Sequence, residues 1–83
     1  MELVTGDQFV KALALLAAGI AMGFGAVGPG IGEGFVAGKA CEAIGKRPDE
    51  QALITKTMII GQAISETTGI YALVVALILI FVV

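Results

Sequence analysis

The sequence predicts an all-α membrane protein: a two-helix transmembrane hairpin that assembles into a homo-oligomeric ring. Three observations carry that prediction. Two long stretches are almost free of charge, a short polar segment with a glycine and a proline divides them, and the first stretch carries glycines in rows at helical spacing. Composition agrees: 58% of residues are hydrophobic and 14% charged, against about 45–50% and about 25% in ordinary soluble domains. A chain of 83 residues has too small an interior to hide that much apolar side chain from water. The net charge of −2 gives no hold on nucleic acid. With no histidine, histidine-ligated metal sites and imidazole catalysis are excluded. The single Cys41 offers neither an internal disulfide nor a zinc framework and reads as a small packing residue.

The first apolar stretch runs from Ala12 to Gly32, 21 residues without a charge; the second runs from Thr57 to Val83, 27 residues whose only charge is Glu66. Each exceeds the ~20 residues that a helix needs to cross a ~30 Å hydrocarbon core. Between them stand Lys39, Glu42, Lys46, Arg47, Asp49, Glu50 and Lys56. Gly45 followed by Pro48 ends the first helix and makes a turn. Asp49 and Glu50 suit the first turn of the next, at the positive end of its dipole. The expected organisation is one unit over residues 1–83: helix 1 about 8–44, a loop about 45–49, and helix 2 about 50–82. At ~1.5 Å per residue the first helix is about 55 Å long, so it projects past the bilayer on the loop side. Four of the five basic residues lie in or beside the loop, whereas Lys11 is accompanied by Glu2 and Asp7. The positive-inside rule then puts the loop in the cytoplasm and both termini outside. Lys11 and the apolar run after it also fit a signal peptide, but cleavage near Ala18 would leave one span without a partner.

Gly19, Gly23, Gly25, Gly28, Gly30, Gly32, Gly34 and Gly38 crowd the first helix. On a helix they form rows four residues apart, Gly19/Gly23, Gly28/Gly32 and Gly30/Gly34/Gly38, along which neighbouring backbones can approach closely in lipid. The rows lie on more than one face. A single hairpin cannot fill both, but a ring of identical hairpins can, with the glycine-rich helices on the inner circle. A phosphate-cradling loop is the competing reading of such a run, and here no strand precedes it and no Lys-Ser/Thr follows. Pro29 bends this helix, its clash with the preceding turn eased by Gly25 and Gly28.

An ionisable group inside a spanning helix marks function by default, and this chain has two. Glu33 lies 15 residues before Pro48 and Glu66 lies 18 after it. Folded back, they sit about 22 and about 27 Å from the turn, within one helical turn of the same depth. No Lys or Arg shares that depth. Two adjacent anions in a medium of low dielectric are untenable, so one is protonated or both share a cation. Around Glu66, the hydroxyls of Thr67, Thr68 and Tyr71 and the Ile64 carbonyl add neutral oxygens. Hard all-oxygen coordination suits alkali or alkaline-earth cations, and one carboxylate among neutral oxygens balances a monovalent ion best. Gln62, Ser65 and Thr57 are less specific, since Ser and Thr hydroxyls commonly bond back to their own helix. A protonated glutamic acid acting as interhelical glue is the bland alternative, and the polar cluster with a depth-matched partner argues against it.

These residues resemble the c subunit, or proteolipid, of F-type ATP synthases. The resemblance covers nearly the whole chain: Gly28-Pro-Gly-Ile-Gly-Glu-Gly34, Ala-Gly-Lys-Ala at 37–40, the polar loop with Pro48, and Gly61-Gln-Ala leading to Glu66. It implies a membrane-embedded homo-oligomeric c-ring in a bacterial inner membrane, bathed by lipid and turning against stator subunit a. Catalysis occurs elsewhere in that complex. The loop, through Lys46, Arg47 and Pro48, would meet the central stalk subunits gamma and epsilon, and Gly23, Gly25, Gly28, Gly30, Gly32, Gly34 and Gly38 would pack the helices. Glu66 would be the carboxylate that carries the ion. Within the family, Glu66-Thr67-Thr68-Gly-Ile-Tyr71 is similar to the sodium-binding variety. Na⁺ would then be held by Glu66, Glu33, Thr67 and the Ile64 carbonyl, with Thr68 holding a water, Tyr71 hydrogen-bonding Glu66, and H⁺ competing for the site. Two departures stand out. Glu33 occupies a position that is often Gln, the minority two-carboxylate pattern, and Lys46-Arg47-Pro48 replaces the usual Arg-Gln-Pro. The rivals are a proton-carrying ring of the same build and, from another class, a structural or pore-forming membrane hairpin.

Overall fold

A helix needs its first amides satisfied before it can grow, and Thr5 does this. Its hydroxyl accepts a bond from the Gln8 amide at 3.1 Å while the Gln8 side chain accepts from the Thr5 amide at 3.0 Å. This capping box, worth about 1 kcal/mol, starts the first helix at Gly6, two residues before the position expected from the apolar pattern. The computed structural model describes residues 3–83, so Glu2 lies outside the described residues. From Gly6 the chain makes α1 (Gly6–Gly25) and α2 (Val27–Lys46), then a 3₁₀ turn (Pro48–Glu50), α3 (Gln51–Ser65) and α4 (Thr67–Phe81).

The first arm is α1 and α2 end to end, interrupted only at Ala26. The Ala26 amide still bonds to the Met22 carbonyl at 2.9 Å, and Gly30 bonds to Ala26 at 2.9 Å. Pro29 has no N–H to give to the carbonyl four residues earlier, that of Gly25, and the ladder breaks there. The second arm is interrupted likewise at Glu66, which keeps helical contacts to Gln62 and Ile70 at 3.0 Å each. No proline causes this second break. It lies one turn before Gly69, whose surface is covered by the Pro29 ring.

The connection is shorter than residues 45–49. Gly45 and Lys46 stay helical, and no glycine among the described residues takes a positive φ. Arg47 ends the helix instead, at φ −138° and ψ 68°, because the residue before a proline is kept out of the helical region. Pro48 then opens the next turn, where its missing N–H does no harm, and Asp49 and Glu50 occupy that first turn.

α1 lies along α4 and α2 along α3, so the arms run antiparallel in a rod of 67 × 19 × 12 Å. The buried positions are small: Ala14, Ala18, Pro29 and Ala40 on the first arm, Gly69 and Ala76 on the second. The large apolar side chains point outward, Phe24 being 78% and Ile31 69% exposed. An accessible surface of 6097 Å² compares with roughly 4,600 Å² for a folded soluble monomer of this mass. Such a chain needs lipid or copies of itself around it.

The glycines divide into two sets. A Cβ on Gly25 would strike the Ala72 Cβ, and one on Gly32 would lie 2.5 Å from the Ser65 Oγ. These two let the arms close. Gly19, Gly23, Gly28, Gly30, Gly34 and Gly38 face open space, and so leave notches on the outer faces. We expect Gly25→Val to weaken arm-to-arm packing by about 1–3 kcal/mol, because the Ala72 Cβ is tied to backbone and cannot swing aside. Titration of the micelle-bound protein with a denaturing detergent checks this; an unchanged midpoint would mean that the close approach is dispensable.

Candidate ion-binding site

The two carboxylates lie near one level of the rod, where the second arm is interrupted; the break at Ala26 lies seven residues before Glu33, about 10 Å along the first arm. Glu33, in the second turn of α2, and Glu66, at the junction of α3 and α4, are both half-buried. Their carboxyl groups meet side chain to side chain, near enough to share one hydrogen bond. Around them the arms mesh through small residues. The Pro29 ring fills the notch of Gly69, its Cγ lying 3.3 Å from where a Cβ would stand. The Glu66 Oε1 lies 2.9 Å from that same point, so Gly69 makes room at once for the proline and the carboxylate. Gln62, one turn before Glu66, donates from Nε2 to the Glu33 backbone carbonyl at 3.3 Å.

The remaining oxygens stand elsewhere. Ile64, Thr67, Thr68 and Tyr71 are all exposed, Ile64 by 70% and Tyr71 by 65%. Their spacing of three or four residues puts them along one face of the second arm. Within the described residues Tyr71 makes no hydrogen bond to Glu66, and Thr67 and Thr68 touch neither carboxylate by a hydrogen bond. One hairpin therefore brings the two carboxylates together and displays the Thr67, Thr68 and Tyr71 hydroxyls on another face. Thr57, by contrast, bonds back to the Leu53 carbonyl at 2.9 Å.

Pro29 and Gly69 carry no ligand chemistry in the sequence, and Gln62 is less specific there than the hydroxyls after Glu66, yet all three border the carboxylates. Their signals are positional: Gln62 lies four before Glu66 and Gly69 three after, on the same face.

The charged residues gather at the ends of the rod. At the turn, Glu42 lies 3.7 Å from Lys39 and 3.4 Å from Lys46, and Arg47 lies 3.7 Å from Glu50. These exposed pairs contribute little to stability. They border an open groove of about 330 Å³ beside Lys46 and Arg47. At the other end Lys11 donates to the Ile80 carbonyl, one of the acceptors that the last turn of a helix leaves free. Among the described residues, no basic side chain pairs with either carboxylate of the site.

Similarity to known proteins agrees with this arrangement. Residues 16–79 match the family model for the ATP synthase C subunit. The ATP synthase c subunit of Alkaliphilus oremlandii is 53% identical, over 98% of this chain and 91% of the relative. That of Natranaerobius thermophilus is 51% identical over 95% and 91%, and that of Mesomycoplasma hyopneumoniae 56% identical over 95% and 77%. A single family thus spans both arms, the turn between them and both carboxylates: the chain belongs to the ATP synthase C-subunit family.

Proposed function

We propose that this chain is the sodium-carrying form of the rotor subunit: each hairpin binds Na⁺ near mid-membrane, and ion flow through the ring drives its rotation. As a member of the c-subunit family the chain is a non-catalytic, ion-translocating part of ATP synthase. The observation that carries the sodium reading is the pairing of Glu33 with Glu66 in one hairpin while Ile64, Thr67, Thr68 and Tyr71 face outward.

Such a hairpin is half a site on one face and the complementary half on another. Head-to-tail packing of copies around a closing axis brings the halves together, and the open notches at Gly23, Gly28, Gly30, Gly34 and Gly38 supply close approach. Glu66 and Glu33 of one hairpin then face the Thr67 hydroxyl and Ile64 carbonyl of the next. Thr68 holds a water, and Tyr71 bonds the carboxylate when the site is shut. Glu33 keeps one proton, shared with Glu66, so that the sodium-loaded site is neutral and can pass lipid at tolerable cost. At the stator, an arginine of subunit a displaces the ion, the ring steps, and the site reloads from the other side. The loop end, with Lys39, Lys46, Arg47 and Lys56, lies in the cytoplasm and meets gamma and epsilon there through Lys46, Arg47 and Pro48. The termini lie outside.

Carbodiimide attacks a protonated, unoccupied carboxyl. In the assembled complex, we expect labelling at Glu66 to be slowed by Na⁺ at neutral pH, and the protection to fade with acidity as H⁺ competes. Labelling that ignores Na⁺ would assign the ring to protons. An absence of selective labelling at Glu66 would turn the hairpin into a structural element.

A further inference from the structure

We infer that Gln62 is a positioning residue for the carboxylate pair: its amide fixes how the second arm is rotated and seated, and thereby aims Glu66 at Glu33. Around the carboxyl pair the arms are held mainly by shape. Gly25 meets Ala72, Pro29 meets Gly69, Gly32 meets Ser65 and Gly61 meets Val36. All four contacts are short-range and steric, and they involve small side chains or none. Surfaces of this kind set how near two helices come, but they resist rotation of one helix about its axis only weakly.

The turn at Arg47 limits gross sliding. Yet the site lies 13 residues from the end of α2 at Lys46, or about 20 Å along the arm, and small rotations accumulate over that length. Each residue subtends about 100° around a helix, so a modest roll of the second arm turns Glu66 away from Glu33 towards lipid. A directional contact at the same level is what prevents this.

Gln62 supplies it. Apart from the carboxyl pair itself, the bonds that cross between the arms from a side chain among the described residues are Gln62 Nε2 to the Glu33 carbonyl at 3.3 Å and Lys11 to Ile80 at the far end. The acceptor belongs to Glu33 itself. A backbone carbonyl has two lone pairs, so it can take the amide proton while serving its own helix. The orientation of the amide is settled by chemistry, since turning Oε1 towards the carbonyl would set two acceptors face to face. Gln62 is also one turn before Glu66 on the same strip of helix, so the bond and the carboxylate rotate as one body. Polar side chains that hold register at an otherwise permissive interface act in this way elsewhere in helical assemblies.

The inference rests on Glu66 being the carrier but not on which ion it carries. The test uses the assembled complex with Gln62→Met, which keeps the length of the side chain and removes the donor, and Gln62→His, whose ring N–H reaches towards the same carbonyl. Two readouts are followed: the Na⁺ concentration that half-protects Glu66 from carbodiimide, and the infrared carboxyl band of rings carrying isotope-labelled glutamate. We expect Gln62→Met to raise the half-protecting concentration about three- to tenfold and to shift the carboxyl band, with ring assembly intact. Gln62→His at alkaline pH, where imidazole is neutral, should restore both. A band and midpoint that match the parent protein in Gln62→Met would overturn the inference. So would a loss of ring stability that Gln62→His fails to repair, which would make Gln62 a packing residue only. If the parent ring shows no Na⁺ protection, the sodium reading falls, and the infrared comparison still decides the role of Gln62.

Discussion

Glu66→Gln is expected to abolish ion-driven rotation and carbodiimide labelling together, while leaving the ring assembled. The amide is nearly isosteric with the carboxyl, is neutral, and can hydrogen-bond to Glu33 in the same place, so packing against Gly69 is kept. What it lacks is a second charge state. A carrier in the membrane must be neutral when it faces lipid and charged when it gives up or accepts its ion at the stator. A bare carboxylate at mid-bilayer costs about 2.5–3.5 kcal/mol on insertion scales, and that penalty is what the bound ion removes. Glutamine never meets the penalty and never needs an ion. ATP synthesis driven by an imposed ion gradient in proteoliposomes is the measurement, with native gels to confirm assembly. Residual synthesis well above background would move the carrier role to Glu33.

Much of this was legible in the sequence because membranes leave few options. Two long stretches nearly free of charge have to be helices, since nothing else satisfies its own backbone in lipid. A helix rises by a fixed step, so counting residues from Pro48 is enough to bring Glu33 and Glu66 to one depth, and their carboxyls do meet in the fold. Arg47 ends the first arm for a reason written in the next residue, though Gly45 is the more obvious stop sign. The start at Gly6 is equally present in Thr5 and Gln8, but outweighed by the apolar pattern that begins later.

Other features are properties of two surfaces meeting and have no one-dimensional signature. The glycines look alike in a list of rows. Only the path of α4 and α3 decides that Gly25 and Gly32 close the hairpin while Gly28, Gly30 and Gly34 stay open for other contacts. The break at Glu66 is another case: nothing in Ser65-Glu66-Thr67 forbids a continuous helix, and the reason to look there is Pro29 on the opposite arm. Gln62 is easily discounted because a polar side chain in a spanning helix commonly bonds to its own backbone. Its partner is 29 residues away in the chain.

Glu33→Gln is expected to leave the ring able to bind Na⁺ but to remove one step from its pH dependence. Two carboxyls in contact titrate as a pair, so the protons leave in two macroscopic steps that belong to neither residue alone. Sodium competes with whichever protons the pair still holds. In the parent ring, the Na⁺ concentration that half-protects Glu66 should therefore change with pH in two stages. With glutamine at position 33 a single titrating group remains, and one stage should survive. The amide keeps an oxygen facing the ion and keeps an acceptor-bearing backbone for Gln62, so protection at neutral pH should persist. Carbodiimide labelling of Glu66 over a grid of pH and Na⁺ reads both quantities. If the two profiles superimpose, the second carboxylate is a bystander, and the proton assigned to Glu33 has to be placed elsewhere in the site. If the variant loses protection altogether, Glu33 contributes charge to the ion and not merely a shared proton, and the loaded site carries a net negative charge that the ring must shield from lipid by its own packing.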